Sequence, residues 1–406
     1  VIRENNSNVN AGPHTTSDSP VCATALIHSL RLCTHTHTHI NIYIYIYIER
    51  ERERESNGDE EAVVAVETVR HLPSLAIGRS FSSSALTLEL LVLRYLEDRL
   101  KVHKDAINFC QDVLGKKPVE WEPVFRNNLS RPISDVDMVV TVGGDGTLLQ
   151  ASHFMDDSIP VLGVNSDPTQ AEEVEAFSNE FDATRSTGYL CAATINNFEQ
   201  VLDSIIEGRR APSQLSRMLI HLNSEQLPTY ALNDILIAHP CPSSVSRFSF
   251  KVEGNDQSFS PLVHCRSSGL RVSTAAGSTA AMLSAGGFPM PIISRDLQYL
   301  VREPISAGET SNLMHGMVKW YQSVDLTWFC KEGVIYVDGS HVRYSIKNGD
   351  TVELTSKAPI LKVFVPDHLL QHTTGEKFVN VEREIGLCVF KLLERIQICR
   401  LSTSRY

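Results

Sequence analysis

The chain lacks the marks of several common enzyme classes. Its nine cysteines are scattered, with no Cys-x-x-Cys and no Cys/His spacing suited to zinc, so neither a zinc module nor a paired-thiol redox centre is indicated. Such usage fits a reducing compartment, with cysteines as small core residues. No apolar run comes near the roughly 18 residues that a membrane-crossing helix needs. Positive charge is scarce as well. Lys and Arg number 37 against 48 Asp and Glu, a net charge of −11, which argues against nucleic acid and against an anionic membrane as partners. There is no Gly-x-x-x-x-Gly-Lys-Ser/Thr, no His-Glu-x-x-His and no Gly-x-Ser-x-Gly, which excludes P-loop enzymes, zincin proteases and the usual serine hydrolases.

At 406 residues the chain is long enough for two domains. Its first part is of unusual composition. Thr34-His-Thr-His-Thr-His39 is followed by Ile42-Tyr-Ile-Tyr-Ile-Tyr-Ile48 and Glu49-Arg-Glu-Arg-Glu-Arg-Glu55. Each block is what a translated two-nucleotide repeat yields. His35, His37 and His39 would share one face of a strand and so could hold a metal, but tract composition alone accounts for their spacing. Residues 1–85 are therefore expected to be a disordered or artefactual extension. A transit peptide is the lesser alternative, opposed by Asp59, Glu60 and Glu61.

From Leu86 onward the pattern is globular. Leu90, Leu93, Leu96, Leu100, Ile107 and Val113 recur at helical spacing. Val136–Val142 and Pro160–Val164 read as buried strands, and Leu148–Phe154 and Asn197–Ile206 as helices. That alternation predicts a parallel α/β domain over 86–200. Beyond it, short apolar stretches (Met218–Leu222, Tyr230–Ile237, Arg247–Val252, Leu270–Ser273, Val334–Val337, Thr351–Leu354 and Leu361–Val365) predict a β-rich domain over 201–368. Residues 369–406 have a mixed pattern with no clear assignment.

The most informative segment is Gly143-Gly144-Asp145-Gly146-Thr147. A strand that ends in a glycine turn and opens a helix aims backbone N–H groups and the positive helix end at one spot, where phosphate binds. Asp145 sets a carboxylate among those donors. In phosphoryl transfer such a group can accept the proton of an attacking hydroxyl or hold a metal. The turn lacks the third glycine of the dinucleotide fingerprint, Leu149 standing there. Asn233-Asp234 is a polar pair inside an apolar strand, costly to bury without partners. A hydroxyl-rich ligand or a satisfied core contact would each answer that cost. Thr274-Ala-Ala-Gly-Ser-Thr-Ala-Ala281 is a run of small residues that admits a flat ring or ribose, with hydroxyls at Thr274, Ser278 and Thr279. Tight helix packing is the other reading of that run. Arg266 could pair a phosphate or be an ordinary surface arginine. Asp338-Gly339 reads as a hairpin turn.

In this order and spacing, Gly143–Thr147, Leu162-Gly163-Val164-Asn165, Asn233-Asp234, and Gly277-Ser278-Thr279-Ala280 with Ser284-Ala285-Gly286-Gly287 resemble the NAD kinase family, over about residues 88–368. The likeness is to the plant NADH kinase subgroup in particular. It implies an α/β N-terminal domain, a C-terminal β-sandwich, the nucleotide between them, and a homodimer or larger assembly. It implies ATP with Mg²⁺ as phosphoryl donor, NADH or NAD as acceptor, and Asp145 as the base that activates the ribose 2′-hydroxyl. Gly143, Gly144, Gly146 and Thr147 match its phosphate turn, and Asn233 with Asp234 its ribose-binding pair. Thr274, Gly277, Ser278, Thr279, Ala280 and Ser284 match its nucleotide-binding stretch, and Arg266 the arginine before it. No metal ligand is assigned.

Three departures stand out. The usual Thr-Pro-Thr-Gly-Ser-Thr-Ala-Tyr is Thr274-Ala-Ala-Gly-Ser-Thr-Ala-Ala281. Ser268 replaces an aspartate. Ser166–Ala171 replaces the Gly-x-Leu-Gly-Phe expected after Asn165. A missing carboxylate costs an uncharged dihydronicotinamide little, so NADH is the expected acceptor. The alternatives are a diacylglycerol- or sphingosine-type lipid kinase, opposed by the Gly-Ser-Thr-Ala segment, and a silent dinucleotide-binding module, opposed by the intact Asp145. The terminal Ser404-Arg405-Tyr406 is a loose variant of a peroxisomal address, so cytoplasm and peroxisome are the expected locations.

Overall fold

Strands buried on both faces organise the first lobe. The computed structural model describes residues 40–46, 83–125, 129, 131–254, 260–305 and 312–371. In it β1 (Ile40–Ile46), β2 (Val119–Phe125), β3 (Met138–Gly143) and β4 (Pro160–Asn165) lie in the order β2-β1-β3-β4, all parallel. The short β5 (Ala193–Thr194) pairs with β4. Every residue of β3 is buried, as expected of a parallel strand covered on both sides. Met138, Val140 and Val142 pack under α1 (Ser83–Gly115) and under Phe198, Val201 and Leu202 of the helix Phe198–Ile206. Val139 faces the other way, onto Leu148 and Ala151 of α2 (Asp145–Ser152). In α1 the buried positions are Ala106, Ile107, Cys110, Val113 and Leu114, a stripe at helical spacing. Leu90 and Leu96, which share the sequence periodicity, stay exposed.

The second lobe is an antiparallel sandwich of two six-stranded sheets. One sheet runs in the order 263–267, 246–253, 323–328, 351–355, 219–222, 225–226. The other runs 315–318, 297–302, 269–273, 234–238, 333–337, 342–346. Ile220, Phe248, Phe250, Leu326 and Trp328 of the first meet Ile235, Ile237, Leu270, Val272, Leu297 and Ile335 of the second in one core, the usual interdigitation of sandwich faces.

The expected extension and the expected domain boundary each meet the first sheet. Ile40–Ile46 lies within the stretch read as disordered or artefactual, yet it forms the strand between β2 and β3. Its alternating Ile and Tyr have the β propensity for that place. The remainder of 1–82, including His35, His37 and His39, lies outside the described residues. The domain boundary also shifts. β6 (Ser213–Leu215) and the strand Leu361–Phe364 both join the first sheet, the latter parallel to β4. The span 201–368 thus gives both its ends to the α/β lobe. A short helix, Asp367–Gln371, follows. Ser404-Arg405-Tyr406 lies outside the described residues.

Candidate active site

β3 ends at Gly143, which is paired in register with Asn165 of β4. The turn that follows is tight. A Cβ on Gly143 would come within 2.2 Å of the Thr147 hydroxyl, and one on Gly144 within 2.7 Å of Ser186. Gly146 is exposed, with open space where its Cβ would be. The turn therefore needs its first two glycines for internal fit, and the third leaves the approach to the backbone clear.

The Asp145 carboxylate is held from outside its own helix. Oδ2 accepts the Tyr189 N–H at 2.9 Å and Oδ1 the Leu190 N–H at 2.8 Å. The Ser186 hydroxyl donates to Oδ2 at a longer 3.4 Å, and the Asp145 N–H donates back to Ser186 Oγ at 3.2 Å. Buried Cys191 lies against Oδ1 at 3.8 Å; burial, and then the adjacent carboxylate, push its thiol well above the usual range. The Tyr189 phenol also lies beside the Thr279 hydroxyl of the second lobe.

Asn233 and Asp234 are set by a residue that sequence reading took for a turn. The Asp338 side chain is fully buried (0% exposed) and at φ 52°. Its Oδ1 accepts the N–H of Asn233 at 2.7 Å and of Asp234 at 3.0 Å; Oδ2 accepts the Leu232 N–H at 2.8 Å. His153, just past the end of α2, meets Oδ2 through Nε2 at 2.9 Å. The helix that starts at Asp145 is thus tied at its other end to the polar pair. Asp234 is paired with Arg271, and burial pushes its carboxyl up to about 6 against the pull of that arginine. Asn233 Oδ1, by contrast, is buried and accepts no hydrogen bond. A buried amide oxygen without a donor asks for one.

The small-residue run closes on the same spot. The Thr274 N–H donates to Asn233 O at 2.9 Å, and a Cβ on Gly277 would come within 2.2 Å of that oxygen. Thr274 and Ser278 are fully buried, their hydroxyls spent on Leu232 O and Ala275 O. Thr279 is partly open, and Ala280 and Ser284 are exposed. An apolar cluster joining Leu148 and Leu190 to Leu232, Ala276 and Ile292 packs the two lobes together there. Buried Arg217 donates to Ser152 O at 3.0 Å and Met155 O at 2.8 Å, and to Pro359 O at 2.7 Å, a cation at the carbonyl end of α2. Burial lowers it to about 10, so it keeps its charge.

The phosphate turn, the polar pair and the small-residue run therefore meet in one place. Arg266 and Ser268 do not join them. Both sit at the Gly269 end of the strand Gly269–Ser273, where the Ser268 and Ile305 N–H groups bond to Arg302 O and Arg266 O. Five residues of strand separate that end from Thr274, about 17 Å. Arg266 is exposed, and Ser268 bonds to Glu303. The departure after Asn165 also takes a different form in space. Ser166–Thr187 loops out, and Gly188-Tyr189-Leu190 returns to Asn165, with Gly188 at φ 65° and its would-be Cβ 2.4 Å from Asn165 Nδ2. A Gly-aromatic sequence is present beside Asn165, displaced along the chain by a loop. Sequence reading took Asp338 for a turn and passed over His153, Ser186, Tyr189 and Arg271. Their only signal was residue type.

A glycine turn with its own carboxylate, joined to a buried polar pair and a small-residue run on a second lobe, fits the class of nucleotide-dependent kinases. A family model described as the ATP-NAD kinase N-terminal domain matches residues 82–168. A probable NADH kinase of Oryza sativa subsp. japonica is 60% identical over 69% of this chain and 86% of its own length. The NADH kinase of Arabidopsis thaliana is 64% identical, over 69% and 89%. The fold matches that of an NAD kinase from Archaeoglobus fulgidus, solved with ATP, at a TM-score of 0.51 and 19% identity, over 66% of this chain and 93% of that one. The chain belongs to the NAD kinase family.

Proposed function

We propose that the protein transfers the γ-phosphoryl group of ATP to the 2′-hydroxyl of the adenosine ribose of NADH, and more slowly of NAD. The orphaned Asn233 Oδ1, buried where the three segments meet, carries this reading: a ribose hydroxyl supplies the missing donor. Asp145 takes the proton of the 2′-hydroxyl, and the contact that gives way is the Ser186 hydroxyl, the longest of the nitrogen and oxygen contacts on the carboxylate. The 2′-oxygen forms its bond to the γ-phosphorus as the β–γ bridge breaks, leaving ADP. Backbone N–H groups at the Gly144–Gly146 turn hold phosphate as charge develops. Among the described residues no group of three His, Cys, Asp or Glu is arranged to hold a metal. Mg²⁺ would come to this site on the phosphates of ATP, its usual mode, and would neutralise their charge there, while Asp145 keeps its role as the base.

The NADH preference rests on Ser268, and with it the homodimer becomes part of the site. If Arg266 and Ser268 serve the nucleotide as the family likeness implies, a second copy is the proposed source, since on their own chain they stand about 17 Å along the strand from Thr274. Cytoplasmic and peroxisomal locations both remain within the proposal. Among the described residues no helix is long and apolar enough to cross a membrane. Initial rates on NADH and NAD⁺ with saturating MgATP test the reading. Faster turnover of NADH, abolished by Asp145→Asn, is expected; a clear preference for NAD⁺ removes the acceptor assignment, and an active Asp145→Asn removes the base.

A further inference from the structure

Between Asn165 and Gly188 the chain leaves the sheet and returns to the same point. The mouth of this loop is closed by Thr169, whose hydroxyl donates to Arg185 O at 3.1 Å and accepts the Arg185 N–H at 3.0 Å. Its interior is held by Arg185, whose side chain is only 11% exposed. That guanidinium reaches Asp167 at 3.2 Å, Glu173 at 2.5 Å, the Tyr95 hydroxyl at 2.7 Å and Pro168 O at 2.8 Å. From α1, Arg99 reaches the same two acids at 3.2 and 3.3 Å. The Tyr95 ring packs edge-on against Phe177 and Phe181, which stack on each other. A surface excursion rarely carries so dense an anchor, and closed loops that do are often functional.

What the anchor holds is the next residue. Ser186 begins the stem that supplies the oxygen and nitrogen donors recorded on the Asp145 carboxylate: its own hydroxyl and the N–H groups of Tyr189 and Leu190. No bond from within α2 orients that carboxylate. We propose that the loop Ser166–Arg185 is a positioning element of the kinase site, its Arg185 anchor fixing the Ser186–Leu190 stem and, through it, the direction in which Asp145 points. The inference rests on the reading of Asp145 as the base. Arg185 is a positioning residue, since its recorded partners all lie within the loop and α1.

Misplacing a catalytic group by about 1 Å can cost on the order of a hundredfold in rate, so loosening the stem lowers kcat while leaving dinucleotide binding alone. Arg185→Met is expected to reduce kcat by roughly 10- to 100-fold, with KM for NADH changed by less than about threefold. Arg185→Lys recovers only part of the loss, because an ammonium cannot span both acids and Pro168 O as a planar fork does. Lys117→Met is the control. It removes an ion pair with Asp203 and Glu199 in the same lobe, away from the stem, and is expected to keep the parent kcat. Glu173→Gln repeats the test at the more open edge of the network should Arg185→Met fail to fold. If folded Arg185→Met or Glu173→Gln keeps the parent kcat, or falls no further than Lys117→Met, the positioning role is overturned. Asp145→Asn assayed beside them separates the two claims. An active Asp145→Asn removes the base itself, whereas an inactive one beside a fully active Arg185→Met removes only the positioning role.

Discussion

Asp338→Asn isolates the most informative contact in the site. Asparagine is nearly the same size and tolerates the left-handed backbone seen at φ 52° as aspartate does, so the chain path is kept. What changes is acceptor capacity. Oδ1 serves Asn233 and Asp234, and Oδ2 serves Leu232 and His153. With the amide oxygen toward the polar pair, His153 can switch tautomer and accept from the amide nitrogen. The Leu232 N–H then faces a donor. One buried N–H left unpaired costs about 1–3 kcal/mol, and making the other two bonds neutral weakens them further. A total near 3 kcal/mol corresponds to a fall in melting temperature of roughly 4 °C for a protein of this size, whose unfolding entropy scales with its length. The kinetic effect is separate: Asn233 and Asp234 lose their common anchor, so KM for the dinucleotide rises by about tenfold or more. Scanning calorimetry and steady-state kinetics read the two effects. An unchanged melting point together with an unchanged KM would refute the assignment of Asp338 as the residue that sets the polar pair.

Three further outcomes are expected. Gly277→Ala drives a methyl group to within 2.2 Å of Asn233 O, so the backbone must move and KM for NADH rises by at least about tenfold, while far-ultraviolet circular dichroism stays the same. Asp234 titrates near 6 in the folded chain, above its ordinary value. A raised acid favours the protonated fold, so its stabilising contribution is full below about pH 4 and is lost as pH rises to about 6, a change of about 3 kcal/mol. Denaturant melts across that window should show this slope in the parent and a flatter one in Asp234→Asn. Finally, if Arg266 acts across a homodimer, inactive Asp145→Asn and Arg266→Ala variants, unfolded and refolded together, regain about a quarter of the parent rate, since half the dimers are mixed and each of those carries one intact site. No regain would place Arg266 outside the site.

The site was legible in sequence where chemistry is local. The Gly143–Thr147 turn needs only a strand before it and a helix after it, and β3 and α2 stand within a few residues of the ranges that periodicity gave. The polar pair could be found because two polar residues interrupt an apolar strand. Asp338 could not, since its work is done on residues about a hundred positions earlier and an Asp-Gly dipeptide ordinarily marks a hairpin. The same holds for Tyr189, which is brought back to Asn165 only after the loop through Phe177 and Phe181. The edge strand 263–267 was missed for another reason: its residues alternate between burial and water, and the apolar signal is weak. The Ile40–Ile46 strand shows the reverse. Its composition spoke of a repeat tract, yet a sheet needs little more from a strand than extended backbone and β-branched or aromatic side chains.

The arrangement explains why the two lobes act as one body at the site. Asp145 starts α2, and His153 stands just beyond its end, so the helix is held at both ends by different parts of the molecule. At its start the Ser186–Leu190 stem grips the carboxylate. At its end Arg217 binds the last carbonyls and His153 binds Asp338. Asp338 in turn holds Asn233 and Asp234 by their backbone, and Thr279 meets Tyr189 from the other side. A chain of short contacts therefore runs from the acid along α2 to Asp338 and the polar pair, with Thr279 and Tyr189 adjacent on the other side. A rotation of one lobe against the other would break several buried bonds at once, each left without a partner at a cost of about 1–3 kcal/mol. Asp145 and the polar pair are for that reason held by the chain's own contacts, and Asn233 Oδ1, one of the buried groups here without a partner, as is Arg271 Nε of the Asp234 pair, is the place that the proposed ribose would complete.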